Sequence, residues 1–331
     1  MATFLNFPFD DEIFYYTWQN AKDPVLTAFL ESGAIVEDAT IAGLIVNGSD
    51  TYTMPWYGLL SGTPDNYDGT TNITTDQLTG DAASGIVFGR AHGFKEIEFI
   101  RDYNSGANPM ASIGSQVGRW WNHYRQGLVM GITAGAMGVN DISSHVINTN
   151  AAPDATLFGD AAQEALGDNA NLLSLAIMHS KVANQLAGLD LLEYRKYTDP
   201  MGVQRQLKVA EFNGMTVVVD DSMPHTAASG SGNSATPATY TTYLFAPGAI
   251  RHATAPVTTP VEVARDAAAN GGENILYTRI RETYHIDGFS YKKPTSGYTS
   301  SPTDAQLTAT ARWELKADPK TVGIVSVVTT A

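Results

Sequence analysis

Asn108-Pro-Met-Ala-Ser-Ile-Gly-Ser-Gln-Val-Gly-Arg-Trp-Trp-Asn-His-Tyr-Arg-Gln-Gly-Leu-Val-Met-Gly-Ile-Thr-Ala-Gly-Ala-Met-Gly138 reads as one long helix with both ends marked. Asn108 is placed to cap the free amides of the first turn. Pro109 sits where a missing N–H costs nothing. Gly138 is placed to end the helix in the left-handed conformation. At 1.5 Å per residue such a helix is about 40 Å long. Ile113, Val117, Trp120, Tyr124, Leu128 and Ile132 recur at three- and four-residue steps and make one apolar stripe. Gly127, Gly131 and Gly135 make a second stripe of small residues, where a sheet is expected to approach. Each interior glycine costs about 1 kcal/mol against alanine, so a helix that keeps them is expected to press closely on something. Arg119 and Arg125 flank a Trp120-Trp121 pair. Core burial of the rings, with salt-bridged arginines, is favoured over a platform that stacks on nucleic acid bases.

The 331 residues suffice for one large or two ordinary domains, and 43% hydrophobic content is that of a folded chain. The absence of cysteine excludes disulfides and thiolate metal sites. A net charge of −14 argues against a surface that grips nucleic acid all over. The acid is concentrated early. Asp10, Asp11, Glu12, Asp23, Glu31, Glu37, Asp38, Asp50, Asp65, Asp68 and Asp76 face Lys22 alone over the first eighty residues. Such a block is either a solvated segment or an acidic arm that meets a basic patch on a neighbouring chain. The start lacks a basic region and apolar core of secretory type, and no run is long enough to span a membrane.

Taken in order, residues 1–48 read as an aromatic-rich arm (Phe4, Phe7, Phe9, Phe14, Trp18) with a short helix from Pro24 to Gly33 and a strand from Ile41 to Val46. Residues 49–92 read as a long hairpin. Tyr52, Met54, Trp56 and Tyr57 are on its first strand, and Ile73 and Leu78 are in a second extended piece. Its tip is rich in glycine and threonine. A long exposed strand edge is an association hazard unless it is meant to meet another chain. Phe94 to Arg101 alternates as a strand. Ala155–Leu166 and Asn169–Ala187 read as helices, the second capped by Asp168 and carrying His179 near its apolar face. Asn213-Gly214 marks a tight turn into a buried strand, Met215–Val219. Thr226–Thr239 is a small, polar loop before the strand Tyr240–Phe245. Residues 253–331 are strand-rich and close on Val322-Gly-Ile-Val-Ser-Val-Val. Strands on both sides of the long helix suggest one interleaved α+β unit.

Catalytic constellations are weak. There is no phosphate-binding glycine loop, no His-Glu-x-x-His and no Gly-x-Ser-x-Gly. Asp220-Asp221 at a strand end resembles a magnesium-binding edge, but strand-end capping accounts for it as well. His225 lies close by in sequence. His92, His123, His145, His252 and His285 are scattered singly without metal-ligand spacing. No cofactor is expected.

The order of parts resembles the tailed-bacteriophage major capsid proteins of the Hong Kong 97-type fold, which encapsulin shells share. The likeness is carried by the arm, the hairpin, the helix opened by Asn108-Pro109, Met178-His-Ser-Lys-Val182, Phe212-Asn-Gly-Met-Thr-Val-Val-Val-Asp-Asp-Ser-Met-Pro224, Trp313-Glu-Leu and Asp318-Pro-Lys-Thr-Val-Gly-Ile-Val. The resemblance implies an N-terminal arm (1–48), an extended E-loop (49–92), a peripheral P-domain with a spine helix (93–147 with 253–331) and an axial A-domain (148–252). It implies pentamers and hexamers tiling an icosahedral shell around double-stranded DNA, with separate scaffolding, portal and decoration proteins as further partners. The shell would be assembled in the host cytoplasm, with no membrane role. The "sites" would then be interfaces: the arm aromatics, the named hairpin residues and the glycine stripe. The region from Tyr52 to Arg90 contains no lysine, which argues against the isopeptide cross-linking known in part of that family. Two alternatives stand beside this reading: an encapsulin-type compartment around enzyme cargo, and a metal-dependent enzyme using Asp220 and Asp221.

Overall fold

The computed structural model describes residues 3–4, 7–8, 33–46, 48–57, 62–77, 80–97, 109–149, 151–198, 204–229, 237–295, 297 and 300–330. Phe9, Phe14, Trp18, Leu78, Asn108 and the expected helix after Pro24 lie outside the described residues. Phe4 and Phe7 are described by backbone alone, in a short antiparallel ladder of Thr3–Phe4 with Phe7–Pro8.

The long helix runs Pro109–Met137. Its apolar stripe differs from expectation by one residue. Trp121 is buried and donates its indole N–H to Thr278 Oγ1 at 3.1 Å, whereas Trp120 is 39% exposed. The stripe therefore steps Val117, Trp121, Tyr124, Leu128, Ile132. Gly138 is not left-handed, since it is absent from the positive-φ residues. Its amide donates to Ala134 O at 3.1 Å. A Cβ there would lie 2.6 Å from Thr310 Oγ1, so close approach is what needs the glycine.

Two sheets pack on this helix. In the first, the long strand Glu273–Ile286 pairs with Phe88–Ile97 on one side. On the other it pairs with Val261–Asp266 and Ile250–Thr254, and Ile35–Glu37 runs parallel to the last of these at the edge. Leu276 and Ile280 face the helix's N-terminal half and form a cluster with Val117, Trp121 and Val261. The second sheet is ordered Val146–Asn148, Ile324–Thr330, Thr239–Phe245, Leu175–Met178, Met215–Val219, Gln204–Phe212, Glu193–Thr198. One face is covered by the helices Leu157–Leu166 and Ser180–Gly188, through Phe158, Ala162, Val182 and Leu186. The other presents Ile177, Val218, Tyr243 and Phe245 to the core that holds Leu128, Ile132 and Met137. The helix thus joins two cores, its front half on one sheet and its rear half between both. The last strand, Ile324–Thr330, hydrogen-bonds inside the sheet built by residues 146–245.

Two expected elements are overturned. Ile41–Val46 is not a strand: Ala39–Ile45 is a helix, started by the Asp38 carboxylate accepting from Thr40 N at 2.8 Å and Ile41 N at 3.3 Å. Asn169–Ala187 is not one helix. A 3-10 turn, Gly167–Leu172, leads to the fully buried strand Leu175–Met178, and the helix begins only at Ser180. The Asn213-Gly214 turn is as expected, with φ of 50° and 77° at its two residues.

Candidate subunit-contact surface

Seven residue pairs, from Thr51↔Ile86 to Tyr57↔Gly80, make the hairpin ladder. The ladder is fastened to the body along its length, from Asp50 and Tyr52 at its start to Asp81, opposite Trp56, near its far end. Tyr52 is buried, its hydroxyl 3.0 Å from Thr283 Oγ1, and burial pushes the phenol up to about 12. The ring lies across Gly85, where any Cβ would collide with it. Ser84 N donates to Ser290 Oγ at 3.0 Å. Lys316 pairs with Asp81 at 2.9 Å and Lys293 with Asp50 at 2.5 Å. Those hydrogen bonds to lysine hold both carboxyls below the usual range.

The tip behaves differently. Residues 62–77 have no regular structure and all are exposed. Asp68 accepts from Thr71 N at 2.7 Å and Thr70 N at 2.8 Å, and from both threonine hydroxyls. Asp65 accepts from Thr74 N at 2.5 Å and Thr74 Oγ1 at 2.7 Å. These hydrogen bonds, the backbone ones above all, depress both carboxyls, so the tip keeps its charge. Tyr67 is 93% and Ile73 74% exposed beside them. Met54 and Trp56 are half-buried and Tyr57 is exposed. Sequence reasoning grouped Tyr52 with these contact residues, but its ring is held inside its own subunit.

The glycine stripe meets a turn and not a sheet. A Cβ on Gly135 would lie 2.3 Å from Thr308 O, and one on Gly131 2.7 Å from Thr308 Cγ2; Gly127 faces open space. Near the helix's other end Trp120 stacks on His92 at 4.4 Å, with Phe94 and Trp121 edge-on to it. Arg90 Nε donates to the Tyr124 hydroxyl at 2.8 Å, and both bond Asp304. Beneath them Arg125 Nε pairs with Glu282 at 2.9 Å, with His252 Nε2 3.7 Å away. Burial pushes the Glu282 carboxyl up, and the charges of Arg125 and His252 more than reverse this, so it lies below its ordinary value. This internal clamp between helix and sheet was not foreseen. Glu282 falls on the apolar side of an alternating strand, which was the available signal.

Asp220 and Asp221 are occupied as caps. Asp220 accepts from Ser222 N at 2.9 Å, from Ser222 Oγ at 2.7 Å and from the Gln126 side chain. Asp221 accepts from Ser180 N at 3.3 Å. His179 is the cap of the Ser180–Gly188 helix, its Nδ1 accepting from Lys181 N at 3.1 Å, and it touches Tyr240 and His225. Among the described residues no group of three or more His, Asp or Glu is arranged to hold a metal, and no helix is long and apolar enough to cross a membrane.

Comparison with known proteins decides the class. The family described as Gp13-like, "Major capsid protein 13-like", matches residues 67–325, well over half of the chain. The major capsid protein of Bacillus phage SPP1 is 28% identical over 307 residues, covering 91% of this chain and 90% of that protein. The capsid of Ralstonia phage GP4 superposes with a TM-score of 0.58 at 11% identity, over 91% of this chain and 88% of the other. The cyanophage Pam1 capsid does so at 0.54 and 10%, over 86% and 85%. These two likenesses speak for the fold, and the family match speaks for the role. The chain belongs to the Gp13-like family of phage major capsid proteins, structural shell proteins and not enzymes, and it carries the Hong Kong 97-type capsid fold.

Proposed function

We propose that this chain assembles as pentamers and hexamers into the icosahedral shell of a tailed phage, around double-stranded DNA. The hairpin Thr51–Ile86 serves as the E-loop that reaches a neighbouring subunit. The long helix is the spine of a peripheral domain, residues 93–147 with 253–331, and residues 148–252 face the capsomer axis. Residues 1–48 act as an arm whose aromatics are buried against other subunits. Separate scaffolding, portal and decoration proteins complete the particle in the host cytoplasm. One observation carries this reading. The hairpin's ladder is clamped to the body by Tyr52 and two lysine–aspartate pairs, while residues 62–77 stand exposed with Tyr67 and Ile73 in solvent. A monomer has no use for an exposed projection that carries Tyr67 and Ile73, whereas a shell uses it to interleave subunits and makes stability concentration-dependent. Electron microscopy of the purified chain, alone and co-expressed with a scaffolding protein, tests this. Closed shells are expected, and nuclease-resistant DNA inside native particles. Monomers under every condition would overturn the shell, and particles holding enzyme cargo without DNA would favour the compartment alternative.

A further inference from the structure

From Ile275 to Arg281 the long strand Glu273–Ile286 turns one face to the helix and the other outward, and beyond that Thr283 and His285 on the second face are buried. Leu276 and Ile280 go to the helix, so Tyr277, Arg279 and Arg281 lie on the opposite face. Tyr277 is 36% exposed, its ring lying across Gly93 on the adjacent strand. Gly89 and Ala91 sit opposite Arg281 and Arg279, so small residues leave the two guanidinium groups uncovered. Together with Thr258, Thr259 and Glu262 they line an open groove of about 420 Å³. Arg279 pairs with Glu262 at 2.8 Å and sits 6.0 Å above the Tyr277 ring. Among the described residues Arg281 bonds only the Ser49 carbonyl, at 3.3 Å, and no carboxylate. Arg279 is thus paired within its own subunit, also donating to the Thr259 carbonyl at 3.1 Å, and Arg281 is the guanidinium left for a further carboxylate.

We propose that this groove receives the acidic hairpin tip of a second copy of the chain, a reading that rests on the shell function above. The tip offers further carboxylates, Asp65, Asp68 and Asp76 with no Lys or Arg between Tyr52 and Gly89, and the exposed Tyr67 and Ile73 to lie against Tyr277. The groove lies at the start of its own subunit's ladder, where Arg281 bonds the Ser49 carbonyl. Ser49, beside Arg281, opens the hairpin, and a seven-residue ladder carries the tip about 20 Å further on. Docking therefore runs from copy to copy around a ring, each tip in the next groove, a heterologous contact of the kind that closes into rings.

A double-mutant cycle on the full-length chain tests the pairing. The tip variant is Asp65→Asn with Asp68→Asn and Asp76→Asn, which keeps the oxygens that accept the turn hydrogen bonds. The groove variant is Arg279→Gln with Arg281→Gln. Each is expected to raise the critical concentration for assembly about tenfold, as for two or three partly exposed ion pairs acting together, with the melting temperature of unassembled subunits unchanged. Combining them should be no worse than either alone, and salt should weaken assembly of the unaltered chain more than of either variant. Variants that assemble like the unaltered chain, or effects that multiply when combined, overturn the pairing and leave the shell function standing. An unaltered chain that never assembles overturns both.

Discussion

Gly127 and Gly135 occupy equivalent positions on one helix face two turns apart, and they call for opposite responses to the same substitution. Gly127 faces open space, so Gly127→Ala should gain the helix propensity of alanine, about 0.8 kcal/mol, with a raised melting temperature. Gly135→Ala puts its methyl 2.3 Å from a backbone oxygen that has no side-chain freedom to yield. It should cost about 1–3 kcal/mol, and Gly131→Leu more. Melting of unassembled subunits reads both signs. His285 sets an acid limit on the same subunit. Burial holds its pKa down to about 4 against 6.5 for a free imidazole. Between those values the unfolded chain takes up a proton that the native one refuses. The stability from neutral His285 is thus complete above about pH 6.5 and is lost as the pH falls to about 4, on the order of 3 kcal/mol in all. His145, its pKa also lowered by burial, adds in the same direction. Urea titrations at stepped pH should show this fall, and His285→Gln should flatten it. An equally steep fall in that variant would assign the loss to other groups.

At the scale of elements the decisive contacts join pieces far apart in sequence. Asp38 starts the Ala39–Ile45 helix and also pairs with Arg251 at 3.1 Å, tying that helix to the first sheet. Asp38→Ala should lower subunit stability by about 1 kcal/mol for the cap plus a smaller share for the half-exposed pair. An unchanged melting temperature would show the cap to be idle. This helix also shows where the sequence stops being legible. Ile41-Ala-Gly-Leu-Ile-Val fits a strand by composition, and only the Asp at its head signalled otherwise. The run Leu175–Met178 fails in the other sense. All four residues are buried, and an apolar run buried on both sides has no period to separate strand from helix, so it merged with the genuine helix after it. By contrast, Pro109–Met137 and the Asn213-Gly214 turn were readable because each is dictated locally, by a terminus or a left-handed backbone. The contact surface was legible only in part. The exposed Tyr57 and Ile73 could be read from a glycine- and threonine-rich stretch. The groove with Arg279 and Arg281 could not, because it needs Phe88–Ile97 and Val261–Asp266 brought to either side of one strand.

For the whole molecule, the body folds around two sheets and a helix, the hairpin's ladder packs on that body through Tyr52 and Ile86, and the tip adds nothing buried to it. Among the described residues the hairpin is fastened along its ladder, from base to far end: Lys293 to Asp50, Tyr52 to Thr283, Ser84 to Ser290 and Lys316 to Asp81. Among the described residues the tip is tied to itself, through Asp65 and Asp68 to neighbouring threonines. Replacing residues 62–77 with a short glycine turn therefore removes no buried side chain and shortens a loop, whose closure entropy changes slowly with length. The unassembled subunit should melt within a degree or two of the unaltered chain. Assembly should behave oppositely, since the excised segment carries Tyr67, Ile73 and three carboxylates out to the next subunit. Loss of closed shells with retained melting is the expected pair of results, read by electron microscopy and calorimetry on the same sample. Normal shells would place the subunit contacts on the arm and sheet edges instead, and a large drop in melting temperature would mean that the tip packs on its own body after all.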